Sequence, residues 1–141
     1  MVARKEQQYE LVLSSKIQQL SKVEKFLDEL KGVLHLNDEQ YYRVLVATTE
    51  AVNNGIIHGN KRNPKKKVLL TFERKNSALV ICVQDEGKGF ESAKLPDPLA
   101  EENLLRDHGR GVFLIRSLMD TVEFSNVKHG SVVTMTIKMK K

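Results

Sequence analysis

The run TTEAVNNGIIHGN, from Thr48 to Asn60, constrains this chain most, because it combines helical apolar spacing with polar residues inside the helix. In a helix, Glu50 and Asn54 stand four positions apart and therefore lie on one face, one turn apart. A carboxylate beside a carboxamide suits a general base next to a cation that prefers oxygen ligands. Asn53 and Asn54 are also poor helix formers in mid-helix, which indicates function. The competing explanation makes Glu50 a solvent-facing residue and Asn54 a polar residue near a helix end.

The segment DEGKGF, Asp85–Phe90, follows an apolar run that is typical of a strand. Aspartate and glycine are common in turns, so Asp85 can be an ordinary turn residue. Alternatively, Asp85 points into a pocket and accepts a hydrogen bond from an exocyclic amine such as that of adenine. Gly87 and Gly89 would then let the backbone approach the ligand closely.

The segment HGRGVFLIRSLMD, His108–Asp120, begins a helix at Gly109-Arg110-Gly111. The free N–H groups and the positive end of the helix dipole make such a start suitable for phosphate, although a flexible hinge is the competing explanation. The sequence contains neither a Walker A motif nor a dinucleotide fingerprint, so the common phosphate-binding motifs do not apply.

The composition predicts one domain over residues 1–141, with 40% hydrophobic and 29% charged residues. No apolar run approaches the roughly 20 residues of a membrane span, and the N-terminus lacks the apolar core of a signal peptide, so we expect a cytoplasmic protein without a membrane partner. The single cysteine, Cys82, lies in an apolar run and is predicted to be a buried strand residue. The absence of a His/Cys cluster argues against a zinc site.

The net charge of +5 is concentrated in Lys61–Lys67 and in the tail Lys138–Lys141. The first of these basic segments contains a proline between two periodic segments and is predicted to be an exposed loop. It fits a solvated loop, a patch that docks a partner, or a nucleic-acid contact. No aromatic residues alternate with the lysines to stack on bases, so we expect no direct binding of nucleic acid.

The helix predictions depend on apolar spacing and on capping residues. A first helix is expected over Ser15–Leu34, and a second begins at Asn37, with Gln40 completing a capping box. Gly59 is expected to end this second helix in a left-handed conformation. A short third helix is predicted over Gly111–Met119.

The strand predictions are Tyr9–Leu13, Lys67–Arg74, Ser77–Asp85, Val122–Ser125 and Ser131–Met139, with a loop over residues 91–108. This order of elements does not provide parallel crossovers on both faces of a sheet. It therefore predicts an α+β fold: a two-layer sandwich with a mixed, mostly antiparallel sheet and about three helices on one face.

Three motifs together resemble the GHKL, or Bergerat-fold, ATP-binding superfamily, and within it the bacterial anti-sigma factors that are also serine-protein kinases. Their first motif, EAxxNAxxHG, corresponds to EAVNNGIIHGN within residues 48–60, with Gly55 where alanine is usual. The second, DxGxGF, corresponds to DEGKGF at 85–90. The third, GxGxFLIxxxMD, corresponds to GRGVFLIRSLMD within 108–120. The resemblance spans about Tyr9 to Lys138.

The resemblance implies a role for each matching residue. Glu50 is similar to the general base, Asn54 to the Mg²⁺ ligand, and Asp85 to the acid that recognises the adenine amino group. Glycines of the last two motifs are similar to the backbone positions that line the nucleotide: Gly87, Gly89, Gly109 and Gly111. Residues 91–108 would form the ATP lid.

Two further positions follow less directly from the resemblance. Arg106, with Arg110 as a competitor, lies roughly where the family has a basic residue that meets the terminal phosphate. The closing strand has GSV at Gly130–Val132 where the family often has GTT, which leaves open whether a side chain there contacts adenine.

The function that the resemblance implies is that of an ATP- and Mg²⁺-dependent serine/threonine-protein kinase, a transferase, that acts as an anti-sigma factor in transcription regulation. It would phosphorylate a STAS-type anti-anti-sigma protein, sequester a sigma factor, and form a homodimer. The alternative is a nucleotide-gated module that binds a partner without useful kinase activity. The catalytic domain of a sensor histidine kinase is a third hypothesis, although none of the four histidines lies in a phosphorylatable helix pair.

Overall fold

The structure is a computed structural model that describes residues 2–5, 8–87 and 110–139. Six strands in these ranges form one sheet in the order β1-β2-β3-β4-β6-β5, with every neighbouring pair antiparallel. The strands are β1 Val2–Lys5, β2 Gln8–Ser14, β3 Lys67–Lys75, β4 Ala78–Gln84, β5 Thr121–Val127 and β6 Gly130–Lys138. The α-helices are α1 Leu20–Leu30, α2 Asp38–Asn54 and α3 Arg110–Leu118.

One face of the sheet is apolar and covered by helices. The strand register places one residue from each of five strands in a row across this face: Leu11, Leu70, Val83, Val133 and Phe124. The next row contains Phe72, whose ring centroid lies 5.6 Å from that of Phe26 on α1. Alternate strand residues point to opposite faces, so this register directs the apolar residues of all five strands to the same face of the sheet. The predicted two-layer α+β fold is confirmed, and each described strand pair is antiparallel where a mixed sheet was expected.

The opposite face of the sheet is more polar. Thr71, Cys82 and Thr134 pair across three strands on this face, and all three are half-buried. Cys82 was predicted to be a buried strand residue. It does lie in a strand, but it points away from the helices, with its Sγ 3.8 Å from Thr134 Oγ1.

The first strand of the chain was not predicted. The segment Val2–Lys5 is short and contains two cations, so it gives no apolar alternation. It forms a strand by pairing with β2, which corresponds to the predicted strand Tyr9–Leu13. Pairing with β2 thus stabilises a strand that the local sequence does not predict.

Helix α1 is shorter at both ends than the predicted Ser15–Leu34. Its buried residues follow the expected spacing: Val23, Phe26, Leu27 and Leu30. At the ends, Ile17 lies in a 3₁₀ turn and Val33 in a turn that continues to His35, which has a φ of 57°. Ile17 is 38% exposed and Val33 is 49% exposed. The apolar spacing that predicted the helix therefore continues into residues that are not part of it.

Helix α2 begins as predicted. The Asn37 backbone N–H donates to Gln40 Oε1 at 2.9 Å, and the Gln40 N–H donates to Asn37 Oδ1 at 2.8 Å. Asp38 and Glu39 place negative charge in the first turn, where the helix dipole favours it. The capping box fixes the start of the helix that carries Glu50 and Asn54.

Tyr41 connects α2 to α1. Its hydroxyl donates a hydrogen bond to Asp28 Oδ1, and Lys31 Nζ lies 4.9 Å from the centre of its ring. The hydrogen bond to Asp28 raises the pKa of Tyr41 to about 12, because ionised Tyr41 could not donate to the carboxylate.

We expect this contact to stabilise the fold below pH 10 and to be lost as the pH rises from about 10 to 12. The protonated phenol is favoured in the native state, so its contribution is complete below the ordinary tyrosine pKa. The pair is open to solvent, so the change should stay below about 1 kcal/mol. Urea unfolding of the native chain and Tyr41→Phe at several pH values measures it. A difference between the two proteins that does not change with pH would contradict the expectation.

The basic segment Lys61–Lys67 lies on the surface, as predicted; residues 61–66 precede β3, and Lys67 is the first residue of that strand. Its residues are exposed apart from the half-buried Lys66, and Lys61 and Arg62 have left-handed φ values of 54° and 58°. Across residues 2–5, 8–87 and 110–139, no helix has the length and apolarity needed to cross a bilayer.

Candidate nucleotide-binding site

The first and third motifs meet where α3 begins. Glu50 and Asn54 are half-buried and lie one turn apart on α2. A methyl group added to Gly111 would lie 3.1 Å from Glu50 Oε2 and 3.2 Å from Asn54 Nδ2. Neither polar side chain forms a hydrogen bond with another residue that the structure describes. Both are therefore available to a ligand at the start of α3.

The second motif places Asp85 directly after β4, where only 7% of the residue is exposed. Its Oδ1 accepts hydrogen bonds from the Gly87 N–H at 2.9 Å and the Ser131 N–H at 3.2 Å. Its Oδ2 accepts one from the Ser131 hydroxyl at 2.8 Å. A carboxylate oxygen can accept about two hydrogen bonds, so Oδ2 retains one acceptor position for a ligand.

Helix α2 links the two halves of the site. It continues into a π-helical segment, Gly55–Gly59, and such segments occur frequently at functional sites. A methyl group on Gly55 would lie 3.7 Å from Asp85 Cβ. The last turns of α2 and this segment therefore form one wall, with Glu50 and Asn54 at one end and Asp85 at the other.

Gly59 does not end the helix in a left-handed conformation, so that prediction is wrong. Among the described residues, Gly130 is the only glycine with a positive φ. Left-handed backbone occurs instead at Lys61 and Arg62. Gly59 is required for a different reason, because a Cβ there would overlap the Asp85 carboxylate. Gly130, with a φ of 149°, lies against the Asp85 carbonyl oxygen in the same way.

The remaining predicted site residues divide into two groups. Gly87 and Gly111 are buried and line the two halves of the site. Arg110 is the first residue of α3, and its side chain lies outside the described part of the chain. Three predicted residues and the predicted lid also lie outside the described residues: Gly89, Arg106, Gly109 and 91–108.

The structure adds two residues that the sequence did not single out. Ser131 holds both oxygens of Asp85, although it stands where the family often has threonine. Asn60 donates a hydrogen bond from its Nδ2 to Ser15 Oγ, and its Oδ1 accepts one from the Glu86 N–H. The sequence signal that could have identified Ser131 is its position in the GSV segment. The signal that could have identified Asn60 is a polar residue at the end of the first motif.

The aspartate that ends the third motif is structural. Asp120 Oδ2 accepts a hydrogen bond from the Lys138 N–H at 2.6 Å, and its Oδ1 lies 3.8 Å from Arg43 Nη2. Arg43 also donates from Nε to the Leu118 carbonyl oxygen at 2.7 Å, at the C-terminal end of α3. These contacts join α2, α3 and β6, and they hold the C-terminal end of α3 against α2.

The residues present fit a nucleotide with a bound cation. A Cβ at Gly59, Gly87 or Gly130 would overlap its neighbours, so backbone surrounds Asp85 tightly while Oδ2 keeps an acceptor position. Asn54 supplies a neutral oxygen beside a helix start. The described residues contain no cluster of three or more His, Cys, Asp or Glu side chains that could hold a metal. Mg²⁺ on a nucleotide needs no such cluster, because phosphates and water supply most of its ligands.

The family profile of the histidine kinase-like ATPase domain matches residues 13–137. The chain belongs to this family. The match includes all three motifs, and the resemblance to anti-sigma factors and serine-protein kinases of the superfamily is confirmed by relatives with those names.

Two curated relatives illustrate the similarity. The serine-protein kinase RsbW of Staphylococcus aureus is 33% identical over 103 residues, which cover 68% of this chain and 64% of that protein. The anti-sigma F factor of Oceanobacillus iheyensis is 31% identical over 107 residues, 73% of each chain. The match thus spans less than two thirds of the length of the RsbW protein.

Solved structures support the fold alone. The catalytic domain of histidine kinase ThkA has a TM-score of 0.58 at 15% identity, over 92% of this chain and 96% of that one. The histidine kinase domain of the blue-light-activated kinase EL346 from Erythrobacter litoralis also has a TM-score of 0.58, at 14% identity, over 85% of this chain and 60% of that one. Both are histidine kinase domains, and this chain shares their fold.

Replacing Gly55 by alanine, the usual family residue, is expected to stabilise the fold by about 0.5–1 kcal/mol. Gly55 has helical angles, φ −62° and ψ −41°, and a new methyl group would meet Val68 Cγ2 at an ordinary contact distance of 3.5 Å. Urea unfolding measures the change. Gly59→Ala is the matched control and should destabilise the fold, because its methyl group would overlap Asp85. A loss of stability in Gly55→Ala would contradict the expectation.

Proposed function

We propose that this ATPase domain is a serine-protein kinase that acts as an anti-sigma factor. The observation that carries the proposal is the position of Glu50, which lies beside Asn54 and against Gly111 at the start of α3. A carboxylate at the phosphate end of a nucleotide site is placed to act as a general base, whereas a module that only binds nucleotide has no need of one. The names of the relatives, serine-protein kinase and anti-sigma F factor, support the same activity.

In the proposed reaction, each half of the site has a separate task. Asp85 Oδ2 accepts a hydrogen bond from the adenine amino group, and the N–H groups at the start of α3 face the phosphates. Glu50 accepts the proton from the incoming serine hydroxyl while the serine oxygen forms its bond to the γ-phosphorus and ADP leaves. Mg²⁺, held by Asn54, would neutralise negative charge on the phosphates. Positioning and electrostatics supply most of the rate enhancement.

The partners follow from the same proposal. The phosphorylated protein would be an anti-anti-sigma antagonist of the STAS type, and the sequestered protein a sigma factor, so the chain would regulate transcription in the cytoplasm as a homodimer. Residues 91–108 would form the ATP lid, and Gly89, Gly109 and either Arg106 or Arg110 would contact phosphates. The second candidate function is a nucleotide-gated module that binds a partner without transferring phosphate.

The deciding experiment incubates the purified chain with ATP, Mg²⁺ and an antagonist protein encoded beside it, followed by mass spectrometry of the antagonist. One phosphoserine on the antagonist is the expected product, with ADP formed in equal amount. Binding of ATP without phosphoserine formation would favour the nucleotide-gated module. Failure of the folded chain to bind ATP would reject both functions.

A further inference from the structure

Asn60, the residue after the first motif's glycine, is 1% exposed and its side chain has three hydrogen bonds. Its Oδ1 accepts the Glu86 N–H at 2.8 Å. Its Nδ2 donates to Ser15 Oγ at 2.8 Å and to the Lys67 carbonyl oxygen at 3.0 Å. A single buried carboxamide, directly after the π-helical segment, thus connects the residue that follows β2, the first residue of β3 and the segment that follows β4.

The Asn60 backbone is fixed with respect to α2. Its N–H donates to the Gly55 carbonyl oxygen at 2.8 Å, which closes the π-helical segment. Its carbonyl oxygen accepts the Asn63 N–H at 3.0 Å. Any group that the Asn60 side chain holds is therefore placed relative to the helix that carries Glu50.

The group held by Oδ1 belongs to the turn that contains Asp85. Glu86 lies between Asp85 and Gly87, whose N–H donates to Asp85 Oδ1. Ser131 on β6 holds Asp85 from one side. Asn60 holds the following peptide from the side of α2, so the turn is fixed between helix and sheet.

We propose that Asn60 is a positioning residue for adenine recognition: it holds the Glu86 peptide so that Asp85 Oδ2 faces the base. This inference rests on the proposed nucleotide site. Asparagine suits the task because one carboxamide accepts from Glu86 while donating twice. An aspartate would lose both donors and bury a charge. Asn60 does not touch the nucleotide itself.

The test compares Asn60→Ala with Ser15→Ala as a matched control. Ser15→Ala removes one partner of Asn60 Nδ2 but leaves the contact with Glu86 in place. Both variants should unfold at lower urea concentration than the native chain. By calorimetry, Asn60→Ala should bind ATP roughly tenfold more weakly, because the Glu86 N–H loses its partner, while Ser15→Ala stays within about twofold of the native affinity. In the kinase assay the KM for ATP should rise and kcat should stay within about threefold.

A double-mutant comparison separates positioning from a general loss of stability. In an Asp85→Asn background, Asn60→Ala should weaken ATP binding by less than about threefold, because Asn60 acts through Asp85. Asn60→Ser, whose shorter side chain cannot reach Glu86, should behave as Asn60→Ala and replaces it if that variant does not fold.

Equal losses of affinity in Asn60→Ala and Ser15→Ala would overturn the inference, and so would a full loss from Asn60→Ala in the Asp85→Asn background. If the native chain binds ATP and Asn60→Ala binds it equally well, the inference alone fails. If the native chain binds no ATP, the proposed function fails and this inference fails with it.

Discussion

Replacing Glu50 by glutamine is expected to lower kcat for phosphoryl transfer by about 10²–10⁴-fold while ATP affinity stays within about threefold. Glutamine has nearly the shape of glutamate, so the contact with Gly111 is kept, but it cannot accept the proton of the serine hydroxyl. A general base acts in the chemical step, so its loss appears in kcat more than in binding. Single-turnover transfer to the antagonist and calorimetry with ATP measure the two effects separately.

The matched control is Glu29→Gln, which removes the same charge from an exposed position on α1. It should leave both kcat and ATP affinity unchanged. If Glu50→Gln transferred phosphate at the native rate, Glu50 would not be the base. A large loss of ATP affinity instead would indicate that Glu50 contributes mainly to binding the nucleotide.

The part of the site on α2 could be predicted because its signals are local. The capping box at Asn37 and Gln40 fixes the start of the helix, and the helical period then places Glu50 and Asn54 on one face. The apolar period also identified the buried face of α1, although not its ends. Residues close in sequence carry this information, so a single sequence was sufficient.

The contacts that fix Asp85 could not be predicted in the same way. Asn60 and Glu86 are 26 positions apart, and Asp85 and Ser131 are 46 apart. No local pattern indicates such pairs, because they depend on the register of four strands and the path of α2. The motifs predicted a role for Asp85, and the fold shows which groups hydrogen-bond to it.

Gly59 illustrates how a tertiary contact can replace a local explanation. A glycine after a helical run most often ends the helix in a left-handed conformation. Here the backbone continues through Gly59 without that change, and the glycine admits the Asp85 carboxylate instead. The sequence predicted a glycine that ends the helix, whereas the structure shows a glycine that makes room for a carboxylate from another element. The roles of the predicted site residues, from Glu50, Asn54 and Asp85 to the glycines and arginines near the phosphates, all stay predictions.

Replacing Asp85 by asparagine is expected to weaken ATP binding by roughly 10–100-fold and to shift preference towards a purine nucleotide with a 6-oxygen, such as ITP. The Gly87 and Ser131 N–H groups at Oδ1 both donate, so the asparagine would turn its oxygen towards them. Its NH₂ group would then occupy the position of Oδ2. An amide there donates to a 6-oxygen but cannot accept from the adenine amino group.

Calorimetry with ATP and ITP on the native chain, Asp85→Asn and Ser131→Ala gives the comparison. Ser131→Ala removes the hydroxyl that donates to Oδ2 but leaves the carboxylate, so it should weaken ATP binding by only about two- to tenfold without shifting the preference. A loss of ATP affinity in Asp85→Asn without any gain in the ITP-to-ATP ratio would mean that Asp85 maintains the pocket and does not contact the base. Unchanged ATP affinity would place the adenine elsewhere. The ratio of the two affinities is decisive, because a general loss of pocket structure lowers both and leaves their ratio unchanged.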